Sequence, residues 1–170
     1  MNDGQTRAGL MLRRMLSNLM ASIGKNPEPA ENSFRLCDST IVAPTDWYEV
    51  KRTQDKLFLR SGDGHQQSTI TTLNVGRPVT SLDDFNLICQ TRLAAERETL
   101  EDGFLAPDPP EPFQFGRAFG MYYYGGEKGR VFFVHLSLLA SNLITNYVEG
   151  IDVSSEAVGE SFRTFVRGLR

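Results

Sequence analysis

Residues 120–135, Gly120-Met121-Tyr122-Tyr123-Tyr124-Gly125-Gly126-Glu127-Lys128-Gly129-Arg130-Val131-Phe132-Phe133-Val134-His135, crowd aromatic rings around a glycine-rich turn. A period of two runs through both arms, so the stretch reads as a β-hairpin. With residues 126–129 as the loop, Gly125 faces Arg130, and Tyr123, Met121 and Phe119 pair with Phe132, Val134 and Leu136. That face is wholly apolar and has to be core. The opposite face pairs Tyr124 with Val131, Tyr122 with Phe133, Gly120 with His135 and Ala118 with Ser137. It is aromatic, yet it carries hydroxyls, an imidazole and small residues, which calls for an amphipathic cover. A helix of the same chain, a second protomer, a partner segment or a small ligand would each serve. Tyr122, Tyr124, Phe133 and His135 are therefore the candidate partner-binding residues, since tyrosines combine a large contact area with a polar tip.

Strands extend on both sides of this hairpin. Phe34 to Val42 reads as a first strand closed by Pro44, and Trp47-Tyr48-Glu49-Val50 opens another. Residues 57–60 and 69–73 make a hairpin around Ser61-Gly62-Asp63-Gly64, whose Asp-Gly step suits positive φ. His65, beside that turn, reads as an exposed loop residue. After the four prolines of residues 106–112, which exclude a helix or a central strand, come strands near Phe113–Tyr124, Arg130–Leu139 and Leu143–Glu149.

Two helices belong to this sheet. Ser81 is an N-cap with Asp83 and Asp84 in the first turn, and Leu82, Phe85, Cys89, Leu93 and Leu100 line one face through Glu101. Arg92, Glu96 and Arg97 read as a solvated or bordering surface. A closing helix over Ser155–Leu169 places Val158, Phe162, Phe165, Val166 and Leu169 together. Sequential strands with short turns make the sheet largely antiparallel, an α+β architecture.

Ahead of the domain, Leu12, Met15, Leu16, Leu19, Met20 and Ile23 recur at helical spacing until Gly24, and residues 25–32 read as a Pro-containing linker. The division is thus an N-terminal amphipathic helix and linker over 1–32 and a single sandwich domain over 33–170. The helix packs on the domain or serves a partner. Ser17 and Asn18 interrupt the apolar run after Arg13-Arg14, so a secretory leader is not expected.

The 170 residues and 19.0 kDa suit one domain. A net charge of −3 provides no basic field for phosphates, so nucleic acid is not an expected partner. Cys37 and Cys89 lie far apart and read as buried thiols of a reducing compartment, and the expected localisation is cytoplasmic. No stretch approaches a membrane span.

Catalytic signatures are missing from the sequence. Gly125-Gly126-Glu127-Lys128-Gly129 lacks the spacing and hydroxyl of a phosphate loop, and no G-x-S-x-G elbow, H-E-x-x-H or calcium loop occurs. With only His65 and His135, a histidine-rich metal site is excluded, and no cofactor is expected. The expectation is a non-enzyme. Its alternative is a small hydrolase or transferase using Cys37 or His135.

Residues 40–47, Thr-Ile-Val-Ala-Pro-Thr-Asp-Trp, followed by a hairpin and by Pro78-Val79-Thr80-Ser81-Leu82-Asp83-Asp84-Phe85, resemble the Mog/PsbP-like superfamily across Phe34 to Leu169. The resemblance implies an α/β/α sandwich and a binding role. That superfamily includes a Ran-binding protein, photosystem extrinsic subunits, DcrB-type lipoproteins and Eag chaperones of type VI secretion effectors. For this chain the resemblance implies a protein-binding or adaptor function, with a secretion-effector chaperone or immunity-like role as its sharpest form. An apolar helix of another protein, or a second copy in a homodimer, is the implied partner.

Overall fold

The computed structural model describes residues 32–100 and 102–168. Asn32–Leu36 (β1) and Ser39–Ala43 (β2) form a separate antiparallel hairpin. The remaining strands build one eight-stranded sheet: Tyr48–Arg52 (β3), Lys56–Arg60 (β4), Gln66–Asn74 (β5), Phe104–Ala106 (β6), Phe113–Phe115 (β7), Ala118–Glu127 (β8), Arg130–Leu139 (β9) and Asn142–Ile151 (β10). Their order is β3-β4-β5-β10-β9-β8-β6, with β7 also paired to β8, and every pairing is antiparallel. Leu82–Thr99 (α1) and Ser155–Gly168 (α2) lie on opposite faces, which gives the expected α+β sandwich.

Each face has its own core. Phe85, Cys89 and Leu93 of α1 pack on Phe119, Met121, Tyr123, Phe132, Val134, Leu136 and Leu138. Val158, Phe162, Phe165 and Val166 of α2, with Leu36, Ile41 and Ala43 of the first hairpin, cover Leu57, Leu59, Ile70, Tyr122, Tyr124, Phe133 and Val148. The N-cap at Ser81 forms as expected, its side chain accepting from the Asp84 amide at 3.1 Å. Trp47 closes the second core with its ring edge-on to Phe165 at 4.9 Å.

Several local expectations change. Residues 34–42 are not one strand: Cys37 takes φ 52° and turns the chain back on itself, leaving β1 and β2. Asn32, the first described residue, donates its side chain to the carbonyls of Thr45 and Trp47. Residues 113–124 divide at Gly116, φ 59°, into β7 and β8, and β6 precedes them. In the aromatic hairpin Tyr123 faces Val134, Tyr122 faces His135 and Glu127 faces Arg130, two residues away from the expected register. The loop is Lys128-Gly129 alone, with φ 43° and 80°, the pair of positive values that a two-residue hairpin turn requires. A slip of two keeps every side chain on its face, so the division into two faces stands. The helix and most of the linker expected over residues 1–32 lie outside the described residues.

Candidate functional site

The four candidate partner-binding residues lie in the interior. Tyr122, Tyr124, Phe133 and His135 are 7%, 6%, 4% and 7% exposed, beneath α2. Tyr122 stacks on Phe113 at 5.1 Å and on His135 at 4.5 Å, with the edge of Phe162 at 6.1 Å. Tyr124 stacks on Phe133 at 5.5 Å, and Phe133 meets Phe162 at 5.5 Å. The open partner surface expected there is therefore corrected: the chain's own last helix supplies the cover. Burial pushes the Tyr122 and Tyr124 hydroxyls up and holds His135 down at about 3, so its ring is neutral. Its Nδ1 and the Nδ2 of Asn146 on the facing strand find no hydrogen-bond partner among the described residues, while Ser68 donates to Asn146 Oδ1 at 3.1 Å.

Cys37 and His135 are not brought together. Cys37 sits exposed at the tip of the first hairpin, its thiol bonded to the Gln54 carbonyl at 3.3 Å and 3.4 Å from Thr72 Oγ1. It borders a cleft of about 560 Å³ whose lining includes Asp38, Asp55, Asn142 and Ile144. Exposure of Cys37 corrects the expectation of two buried thiols. Cys89, under α1, is buried and its thiol is pushed up to about 12 by desolvation, which makes it a poor nucleophile. Among the described residues no group of three or more His, Cys, Asp or Glu is placed to hold a metal.

A polar cluster on the α1 face was not anticipated. Glu96 is buried, not solvated, because it continues the stripe of Phe85, Cys89 and Leu93, and Arg92 pairs with it at 3.1 Å. The Tyr123 hydroxyl lies beside this pair without a hydrogen bond of normal geometry. Burial and then Glu96 push it up to about 12. Next to it Tyr147 donates to Glu149 at 3.0 Å, Gln67 also donates to Glu149, and Arg130 joins Glu127 at 3.1 Å and Glu149 at 3.5 Å.

This cluster borders a part of the sheet that α1 leaves bare among the described residues. The rows Tyr48–Arg60–Gln67–Glu149 and Lys51–Phe58–Thr69–Tyr147 run across it, followed by Lys56–Thr71–Thr145 and Leu73–Leu143, all on the α1 face. Burial alternates along β4 and β5: Leu57, Leu59, Ser68 and Ile70 are buried toward α2, whereas Phe58, Thr69 and Thr71 are half-buried and Arg60, Gln67 and Leu73 are exposed. All five residues of β3 are exposed, Tyr48 at 48%, and Leu73 reaches 59%. A bulge between Glu49 and Lys51, with charges on both sides, guards the β3 edge against pairing with a further strand. The accessible feature is thus a sheet face, with threonine methyls and the Phe58 ring as floor and Lys51, Lys56 and Arg60 as cations around it.

The same architecture occurs in cyanobacterial PsbP (CyanoP) from Synechocystis sp. PCC 6803. The superposition has a TM-score of 0.59 and covers 86% of this chain and 95% of that one. The fold is of the Mog/PsbP type. At 11% identity the likeness concerns this PsbP-like fold alone. A Bacteroides thetaiotaomicron protein, in a crystal structure at 1.50 Å, matches with a TM-score of 0.50 and 12% identity over 78% of this chain. This chain spans 44% of that Bacteroides protein, less than half its length. No family model and no curated protein matches the chain. In the PsbP-like sandwich seen here, the bare flank of β3–β5 is the part of the α1 face left without a covering layer among the described residues.

Proposed function

We propose that this protein is a non-catalytic binding module or adaptor that takes an amphipathic segment of another protein on the flank of β3–β5. A secretion-effector chaperone or immunity-like role is the sharpest form of this reading, set in the cytoplasm, which the two unpaired thiols suit. One observation carries it: a sheet face about three strands wide with Phe58 half-buried and Tyr48 and Leu73 exposed. Lys51, Lys56 and Arg60 favour acidic residues along the border of the bound segment. A face of this kind accepts a helix about 10 Å wide, since adjacent strands lie ~4.8 Å apart.

The test is capture of a partner by the full chain and by Phe58→Asp and Thr71→Arg variants, with Leu139→Asp as a control on the opposite face. Loss with the first two and retention with the third is expected. A partner held equally by all three places the interface elsewhere, and a homodimer through the flank shows as a mass that halves in both flank variants. A competing reading, a hydrolase or transferase dependent on Cys37, is favoured by the cleft at that thiol. Turnover abolished by Cys37→Ser in a broad substrate screen would replace the binding reading.

A further inference from the structure

α1 runs along the strands of the sheet it covers. Phe85, in its first turn, stacks on Phe119 at 5.7 Å, and Phe119 belongs to the row Phe119–Leu138–Leu143–Leu73. Glu96, near its end, lies beside Tyr123, in the row Tyr123–Val134–Tyr147–Thr69–Phe58. From Phe85 to Glu96 a helix rises about 16 Å, and from Phe119 to Tyr123 a strand rises about 13 Å, so the two directions agree. The flank of β3–β5 is therefore a strip parallel to α1, three strands or about 10 Å wide. The helix has 18 residues, which makes it about 27 Å long and about 10 Å across.

The outer side of α1 is a second surface without a cover among the described residues. Phe85, Cys89, Leu93 and Glu96 are buried against the sheet, so the helical period turns Asp83, Leu87, Thr91, Ala94 and Glu98 away from it, and all five are exposed. Leu87 is 68% exposed, more than any other large hydrophobic among the described residues. The Thr91 hydroxyl donates to the Leu87 carbonyl at 3.4 Å, so its polar atom is satisfied within the helix. Glu98 has no ion-pair partner among the described residues, and neither have Lys51, Lys56 and Arg60 on the flank. Glu149, the acid in the row of Arg60, is already held by Arg130, Tyr147 and Gln67.

We infer that the flank of β3–β5 takes the outer face of α1 from a second copy of this chain, in a two-fold dimer whose axis runs parallel to α1, between helix and flank. Rotation about that axis lays the second copy's helix on this flank and this helix on the other flank, so the contact is isologous and closed. The two helices then form one layer between two sheets. Every residue keeps its level along such an axis. Leu87 of each copy therefore meets Leu73 and Thr71 of the other, joining two of the most exposed apolar side chains of the domain. Thr91 and Ala94 are small and allow close approach to Thr69 and Phe58, and Glu98 reaches Arg60, with Lys51 beside it. Each copy contributes two strips of about 270 Å², roughly 1,100 Å² in all, above the ~1,000 Å² that a specific interface needs. The flank as a site is taken from the binding reading above. What is added is its occupant, a second copy that a foreign acidic-bordered segment has to displace.

Sedimentation equilibrium of the full chain at micromolar concentrations is the test. A dimer is expected, its dissociation constant raised about tenfold or more by Leu87→Asp and by Arg60→Glu, and brought back when Arg60→Glu is combined with Glu98→Arg. All three residues are exposed, so the cooperative melt should stay unchanged in each variant. A monomeric wild type, a dimer indifferent to Leu87→Asp, or a charge reversal that fails to restore association would overturn the inference. Leu87 lies off the flank, which separates this outcome from the binding reading. Partner capture that rises several-fold in Leu87→Asp and falls in Phe58→Asp supports both. A dimer sensitive to Leu87→Asp with capture indifferent to Phe58→Asp rejects the binding reading and leaves the dimer. A monomer whose capture is lost in Phe58→Asp rejects the dimer and leaves the binding reading.

Discussion

The rings of Tyr122 and His135 lie nearly parallel, their centroids 4.5 Å apart and their planes 18° from each other, with Phe113 stacked on the far side of Tyr122. Burial holds His135 at about 3, against an ordinary value of 6.5. On unfolding the imidazole regains its ordinary affinity, so between these values the unfolded chain binds more protons than the folded one. Stability is then full above about pH 6.5 and falls as the pH drops toward 3, by up to about 1.4 kcal/mol per pH unit. Urea midpoints from pH 7 to pH 5 should fall for the wild type and fall less for His135→Phe. Equal slopes would mean that His135 is charged in the folded protein.

Phe162 and Phe132 hold the two faces separately. Phe162 sits at 6.1 Å from the Tyr122 ring and 5.5 Å from Phe133, while Phe132 stacks on Tyr147 at 5.3 Å across the sheet. Replacing either by alanine should cost ~3–5 kcal/mol in urea unfolding, as buried aromatics do. A loss near ~1 kcal/mol for Phe162→Ala would imply that α2 packs loosely, and would reopen Tyr122 and Phe133 as a surface.

What was legible in the sequence depended on local period. The two faces of β8 and β9 were readable because alternation survives a register slip of two. The stripes of α1 and α2 were readable from Phe85, Cys89 and Leu93 and from Val158, Phe162 and Phe165. Which stripe covers which face was not, since that depends on the crossing of α2 over β10 and β9, a non-local fact. Glu96 offered a missed signal: it lies three residues after Leu93, on the buried stripe, where a carboxylate demands a partner and Arg92 provides one. β6 and β7 offered none, because three-residue strands owe their pairing to the β8 edge and not to their own pattern.

Gly125 marks the place where β6 and β9 approach β8 most closely. A Cβ there would stand 2.5 Å from the Phe104 carbonyl oxygen, 2.5 Å from Phe132 Cζ and 2.9 Å from Leu105 Cδ2. One of these contacts is backbone, so side-chain repacking alone cannot relieve it. Gly125→Ala should therefore destabilise by ~1–3 kcal/mol and raise amide exchange in residues 104–106 first. Unchanged protection of those amides would show that β6 tolerates the displacement.

The turn Lys128-Gly129 separates the observed register from the one two residues away. Lys128 holds φ 43°, a left-handed conformation that costs a residue with a Cβ roughly 1–2 kcal/mol and that asparagine adopts more readily. Lys128→Asn should therefore stabilise the hairpin by about 0.5 kcal/mol. Gly129 has φ 80°, and a Cβ on it would meet Asp152 Oδ1 at 2.9 Å, so Gly129→Ala should destabilise by roughly 1 kcal/mol or more. Glu127 and Arg130 close the turn with an ion pair at 3.1 Å, and the Gly129 carbonyl accepts from the Asp152 amide at 2.9 Å. A loop of four residues over 126–129 would pair Gly125 with Arg130 and would not require these two positive φ values. Unfolding midpoints that leave Gly129→Ala unchanged and fall for Lys128→Asn would favour that longer loop over the Glu127–Arg130 pairing.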